Sequence, residues 1–230
     1  MNNIIVIPSL NPDNKLIKLV KELQVANLNN ILIVDDGSSS QDIFNQLNDC
    51  IIIHHDINKG KGEALKTAFR EADKYFKNIT GYITCDSDGQ HTVEDIKKIS
   101  DNLKEDIILG VRDFSGKNVP SRSRFGNRFS SLFYYLSTGY KLSDTQTGLR
   151  GIPYKYKKLS LETKGSRFEY EMNFLNNVAM NNIKIDTIPI KTIYLNKNKG
   201  SNFKTIRDSY FVFKDLFDYI FVALLSFITR

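Results

Sequence analysis

Short β-branched runs alternate with helical repeats through the first half of the chain. Asn3 to Ile7 reads NIIVI, and Ile31 to Val34, Ile51 to His54, Tyr82 to Cys85 and Ile107 to Leu109 repeat the theme. Near-continuous apolar runs of this length suit strands buried on both faces. Between them, Asn14 to Gln24 sets Leu16, Leu19, Val20 and Leu23 on one helical face, and Gly62 to Phe76 and Val93 to Leu103 are helical in the same way. The alternation predicts an α/β domain with a mostly parallel central sheet flanked by helices. Ligands of such sheets bind outside the carboxyl ends of the strands. The residues that follow each strand are therefore where chemistry is expected.

The second half is less regular. Arg112 to Arg128 is a loop rich in Gly, Ser and Arg that enters a helix through about Leu136. Asp144 to Pro153 is a polar loop or edge strand, Arg167 to Met180 a helix, Ile183 to Ile190 an extended segment, and Ser201 onward a long helix. Phe129 to Leu136 is read mainly as core packing, with part of it added to a surface that meets lipid. From Tyr210 to Ile228 the chain is apolar but broken by Lys214, Asp215 and Asp218. A spanning helix needs about 20 apolar residues. This segment is therefore read either as an interfacial helix on a membrane or as a core or oligomer-interface helix. The division expected is a catalytic domain over 1–208 and a C-terminal apolar helix over 209–230.

Length and charge narrow the picture. The 230 residues suit one α/β domain. A net charge of +6 without any zinc-finger, KH or RRM pattern argues against nucleic acid and fits an anionic substrate or membrane surface. Cys50 and Cys85 sit inside strand-like runs and are expected as free thiols. The N-terminal apolar run is too short for a signal peptide, so a cytoplasmic, reducing location is expected.

Three polar loops stand at the strand ends. Asp86-Ser87-Asp88 offers two carboxylates to a hard cation such as Mg2+ or Mn2+, with a pyrophosphate supplying further oxygens and Gln90 one more carbonyl. Alone, a D-x-D is more readily a solvated turn capping the helix near Val93. Asp35-Asp36-Gly37-Ser38 could accept from a nucleoside, or form a tight turn and helix cap. Asn58-Lys59-Gly60-Lys61-Gly62 resembles a phosphate cradle at a helix N-terminus but lacks the Walker and dinucleotide spacings. Two basic blocks, Arg112 to Arg128 and Lys191 to Arg207, could grip a phosphate or simply decorate a solvated face.

Together these pieces resemble glycosyltransferase family 2, in its polyprenyl-phosphate (dolichol-phosphate mannosyltransferase-like) branch. The segments that carry the resemblance are Val34 to Ser38, Asn58 to Ala64, Asp86 to His91, Gly110 to Arg112, Ser123 to Asn127, Asp144 to Arg150 (DTQTGLR), Phe168 to Glu171 (FEYE), Ile188 to Ile190 and Gly200 to Lys204. The resemblance implies a GT-A fold and an inverting, metal-dependent transfer from a nucleotide sugar to a polyprenyl phosphate. It places the metal at Asp86, Asp88 and Gln90 and the nucleoside at Pro8, Asp35 and Asp36, with Lys61 and Ser123 among the donor-binding residues. Arg112, Ser123 and Lys204 would hold the sugar or the acceptor phosphate, so that Asp88, Arg112 and Lys204 form the catalytic set. One departure is at Asn11, where the usual following acid is replaced by Pro12, with Asp13 one place later. Some similar proteins continue into a GtrA-like membrane domain, so a flippase here is expected to be a separate protein.

A phosphate acceptor also agrees with elementary chemistry. A sugar hydroxyl must lose its proton as it attacks and needs a general base, whereas a phosphate monoester with a second pKa of about 6 is already ionised near neutrality. A catalytically silent donor-binding subunit and a nucleotidyltransferase remain the alternative classes.

Overall fold

The structure, a computed structural model, describes residues 1–116 and 119–193. The expectations for Gly200 to Lys204, for the helix from Ser201 and for the apolar segment over 209–230 lie outside these residues. Among the described residues seven strands form one sheet: β1 (Asn3–Ser9), β2 (Ile31–Asp35), β3 (Ile51–His54), β4 (Gly81–Thr84), β5 (Ile107–Arg112), β6 (Arg150–Pro153) and β7 (Ile185–Ile190). Their order is β3-β2-β1-β4-β6-β5-β7. All neighbouring pairs are parallel except those made by β6, which is antiparallel to β4 and β5.

The helices are α1 (Asn14–Val25), α2 (Lys61–Tyr75), α3 (Val93–Asn102), α4 (Ser121–Thr138), α5 (Lys157–Glu162) and α6 (Glu169–Met180). The pleat of β1 sorts the core into two layers. Ile4 and Val6 join Ala64, Ala68 and Phe69 of α2 and Phe174 and Val178 of α6. Ile5 and Ile7 face the other way, onto Leu16, Leu19 and Leu23 of α1 and Ile96 and Ile99 of α3. Successive strand residues point to opposite faces, so a strand apolar at every position needs helices on both sides. The mostly parallel sheet flanked by helices is thus the observed architecture.

Three expectations are corrected. The segment read as a polar loop or edge strand contributes β6, an interior strand buried at all four positions. Arg150 misled the reading. Its side chain is buried, and the guanidinium donates to the Thr147 and Glu171 carbonyls, which makes a charged residue tolerable inside the sheet. Arg112 ends strand β5 instead of opening a loop, and α4 begins at Ser121. Phe129 to Leu136 is not mainly core. Tyr134 is fully buried, but Leu132, Tyr135 and Leu136 are exposed.

Candidate active site

Proline 8 lies in an interior strand, where a missing N–H normally costs a ladder bond. The register explains why it is tolerated. Ile5 N–H donates to Asn30 on the β2 side, and Val6 C=O accepts from Cys85 on the β4 side, so the backbone N–H and C=O groups of even-numbered residues of β1 point toward β4. Pairing with β4 covers only Asn3 to Val6. Pro8 therefore projects past the end of β4 and opens a gap between the strand ends. That gap is a cleft lined by Pro8, Ser9, Asp36, Gly60, Lys61, Asp86, Asp88, Arg167 and Phe168, among others. It lies at the carboxyl ends of β1, β2 and β4, as the rule for parallel sheets requires.

Each loop reaches the cleft through its own fastening. Asp36 Oδ1 accepts from His55 Nδ1 at 2.8 Å and from the Lys59 amide at 2.9 Å, and Oδ2 accepts from the Gly60 amide at 2.7 Å. The amides expected to cradle a phosphate are thus partly spent on Asp36. Gly60 adopts φ +101°, and a Cβ there would lie 2.5 Å from the Ser166 carbonyl oxygen, so only glycine lets α2 start against the lead-in to α6. Asp35 is fully buried behind the cleft, accepting from the Ser38 amide, Gln41 and His54. Burial opposes its ionisation, but these hydrogen bonds, His54 first, hold its carboxyl below the usual range. Asp13, the displaced acid of the first motif, caps α1 through the Lys15 amide.

The D-x-D loop is not a helix cap. Thr92 caps α3, its hydroxyl accepting from the Asp95 amide. That leaves both carboxylates for the cleft. Lys61 Nζ lies 2.7 Å from Asp86 Oδ1 and 2.9 Å from Glu171 Oε2, and His91 Nε2 lies 3.4 Å from Asp86 Oδ2. Burial works against the charge on Asp86, yet Lys61 and then His91 outweigh it and hold the carboxyl well below its ordinary range. Asp88 moves the other way, pushed up by burial and by the charge of Asp86. Burial likewise opposes the charge on Lys61, and Asp86 and Glu171 more than restore it. Gln90 touches Asp88 through its backbone amide, 3.0 Å from Oδ1.

The expected site residues therefore divide. Pro8, Asp36, Lys61, Asp86 and Asp88 meet in the cleft. Asp35 stands behind it. Arg112 forms a two-pronged pair with fully buried Asp144, Nε to Oδ2 at 2.7 Å and a second nitrogen to Oδ1 at 3.1 Å. Arg112 and Ser123, which is in the first turn of α4, are not among the cleft-lining residues. Lys204 lies outside the described residues. Sequence reasoning assigned no role to Arg167, Phe168, Glu171, His91 or Gly148. The FEYE and DTQTGLR motifs were the available signals, since Glu171 holds Lys61 and a Cβ on Gly148 would lie 2.4 Å from Asp86 Oδ2.

The two carboxylates fit a hard divalent cation. Such ions are held by one or two carboxylates plus substrate phosphates. Among the described residues no group of three or more His, Cys, Asp or Glu side chains could hold a metal alone. The buried Ser9 hydroxyl, which lines the same cleft, has no hydrogen-bond partner, as expected where a polar ligand is missing. Cys50 and Cys85 are free thiols, and burial pushes Cys85 up, away from reactivity.

Comparison with known proteins places this geometry. Residues 4–161 match the model of glycosyl transferase family 2. The chain belongs to that family. It is a glycosyltransferase that uses a nucleotide-sugar donor. This family-2 transferase is 32% identical over 215 residues to a UDP-N-acetylglucosamine--dolichyl-phosphate N-acetylglucosaminyltransferase of Methanococcus voltae, covering 83% of this chain and 85% of the relative. The expected kinship with the polyprenyl-phosphate branch is borne out by that relative. The fold of the transferase is similar to glucosyl-3-phosphoglycerate synthase of Mycobacterium tuberculosis in complex with phosphoglyceric acid. The TM-score is 0.68 at 12% identity, over 95% of this chain and 80% of the other. The same synthase in complex with Mn2+, UDP and glucosyl-3-phosphoglycerate gives a TM-score of 0.58 at 12% identity, over 85% and 72%. The transferase thus has a GT-A-like α/β fold. None of its described helices is long and apolar enough to cross a membrane.

Proposed function

We propose that this chain transfers a sugar, with inversion, from a nucleoside diphosphate sugar to a polyprenyl phosphate at a membrane surface. The observation that carries the reading is the meeting of Asp86, Asp88, Lys61 and Asp36 in one cleft at the strand ends of a family-2 transferase. The relative from Methanococcus voltae acts, by its name, on a dolichyl phosphate, which supports the acceptor class. A Mn2+ ion and UDP in a protein of the same fold support the donor and the ion.

The chemistry follows from charge. Asp86 and Asp88 would hold Mg2+ or Mn2+, which supplies charge neutralisation to the departing diphosphate. An oxygen of the acceptor phosphate attacks the anomeric carbon as the bond to the diphosphate oxygen breaks, and the electron pair leaves with the nucleoside diphosphate. No proton needs removing from the nucleophile, so the protein's task is to position both substrates and exclude water. Pro8 and the loop fastened by Asp36 would hold the nucleoside diphosphate. Asp144 holds Arg112 at the end of β5, outside the cleft lining.

Helix α4 suits the lipid. Its inward positions include Asn127, Ser130 and Tyr134, while Phe125, Leu132 and Leu136 are 70%, 53% and 55% exposed. This is amphipathicity turned outward, which in a soluble fold marks a surface that meets an apolar partner. Exposed Arg128 and Lys141, the latter over the Tyr135 ring, flank that face with positive charge suited to anionic headgroups. The helix is tied to the cleft: Asn127 donates to the Ser143 carbonyl, Gln146 to Ser130, and Gly148 of the same loop abuts Asp86.

The test is direct. Purified protein is incubated with Mg2+ or Mn2+, a polyprenyl phosphate and a panel of nucleotide sugars, and the lipid is read by mass spectrometry. A glycosylated lipid phosphate with release of nucleoside diphosphate is expected. Transfer only to soluble saccharides would replace the acceptor, and release of pyrophosphate would replace the reaction.

A further inference from the structure

Three carboxylates, Asp86, Asp88 and Glu171, share two cationic neighbours, Lys61 and Arg150, around the cleft. Arg150 approaches Glu171 from the buried side, its nitrogen 3.9 Å from Oε1 and its carbonyl contact fixed at 2.8 Å. Lys61 approaches from the other, and its side chain is only 15% exposed, with the ammonium 5.9 Å from the centre of the Phe168 ring. Glu171 is thus a post held from behind, and Lys61 bridges that post to Asp86. Asp88, by contrast, makes no ion pair among the described residues, and its Oδ1 accepts from the Gln90 amide.

The consequence concerns the oxygen that a divalent ion would use. Asp86 Oδ1 is already taken by an ammonium at 2.7 Å. Two carboxylates two residues apart repel when nothing stands between them, and Lys61 supplies the compensating charge. An ion bound through Asp86 Oδ1 and Asp88 displaces it, while Asp86 Oδ2 lies 3.4 Å from His91 Nε2. Lys61 need not go far, because Glu171 retains it at 2.9 Å while its contact with Asp86 opens.

We propose that Lys61 is a positioning residue that occupies Asp86 as a resident cation and withdraws onto Glu171 when the divalent ion binds. This rests on the reading of Asp86 and Asp88 as the metal-binding pair. The arrangement keeps Asp86 in place between turnovers. It also makes metal affinity the result of a competition, since binding to a state that is only partly open is weakened by the open fraction. Once released from Asp86, Lys61 faces the cleft where the donor diphosphate is proposed to lie.

The measurement is Mn2+ binding to the purified chain without donor or acceptor, read from the electron paramagnetic resonance signal of free aqueous Mn2+. Lys61→Met keeps the length of the stem and removes the competitor, so Mn2+ should bind about tenfold tighter or more. Glu171→Gln removes the post, and Mn2+ should bind more weakly than to the wild type. In the Lys61→Met background the same Glu171 change should have little further effect, because the cycle then has no ammonium to relocate. Through-space loss of a carboxylate would instead weaken binding equally in both backgrounds, and that result would overturn the proposal. Lys61→Arg, whose fork can hold Asp86 with two bonds, should bind Mn2+ more weakly than the wild type, and serves if the Met variant does not fold. Wild-type binding with no tightening in Lys61→Met, or no weakening in Lys61→Arg, refutes the lysine's role alone. Absence of Mn2+ binding by the wild type, with and without UDP, removes the metal-binding pair and this inference with it.

Discussion

Replacing Gly148 by alanine would place a methyl group 2.4 Å from Asp86 Oδ2 and 2.8 Å from its Cγ and Oδ1. Ordinary contact begins near 3.4 Å, so the carboxylate must retreat by about 1 Å. The backbone is not the obstacle, since Gly148 is not among the residues with positive φ. Its carbonyl would keep the 2.8 Å bond from the Thr84 hydroxyl. The cost therefore falls on the site, where a displacement of about 1 Å in a reacting geometry typically loses on the order of 100-fold in rate. Stability should fall by about 1–3 kcal/mol, the usual cost of a small-to-large change in a packed site, because the short Asp86 carboxyl must shift against Lys61. Initial rates of sugar transfer and thermal unfolding of Gly148→Ala measure the two effects separately. A variant that turns over within about threefold of the wild type would show that Asp86 need not sit against this glycine, and the role assigned to that carboxylate would have to be withdrawn.

Three further outcomes are expected. Asp88→Asn should lose at least about 100-fold in metal-dependent transfer, yet unfold at the same or a higher temperature without metal. The reason is that burial and Asp86 already disfavour its charge. A lower unfolding temperature with intact activity would contradict this. Leu132→Asp with Leu136→Asp removes two half-exposed apolar side chains from the outer face of α4. At roughly 1 kcal/mol each, vesicle binding should fall about 30-fold while soluble nucleoside diphosphate binding is unchanged, and undiminished sedimentation with anionic vesicles would exclude that face. Asp35 has a depressed carboxyl in the folded chain, so its stabilising contribution is complete above the unfolded carboxylate range near about 3.9 and is lost as pH falls through the lower folded value. Urea midpoints measured downward from pH 5 should fall less steeply for Asp35→Asn than for the wild type, and parallel profiles would refute the assignment.

Much of this molecule was legible along the chain. The apolar runs at Asn3, Ile31, Ile51, Tyr82 and Ile107 and the helical faces between them depend on run length and on a 3.6-residue period, which are local and need no knowledge of partners. The rule that ligands gather at strand ends then brought Asp36, Lys61, Asp86 and Asp88 together correctly. What a strand pairs with, and what a charged side chain meets, depend on distances between residues far apart in sequence. Only the tertiary structure could put β6 inside the sheet, where a buried arginine is made tolerable by the Glu171 carbonyl 21 positions away. Only it could show that Asp35 is consumed by His54 and Gln41, that Arg112 is held by Asp144, and that Lys61 bridges Asp86 to Glu171. Helix α4 makes the same point from its surface. Its sequence is apolar enough for a core, but α6 and the loop over Ser143 to Gln146 take the face bearing Asn127, Ser130 and Tyr134 and leave Phe125, Leu132 and Leu136 outside, because the inward face must satisfy the loop that closes over Asp86.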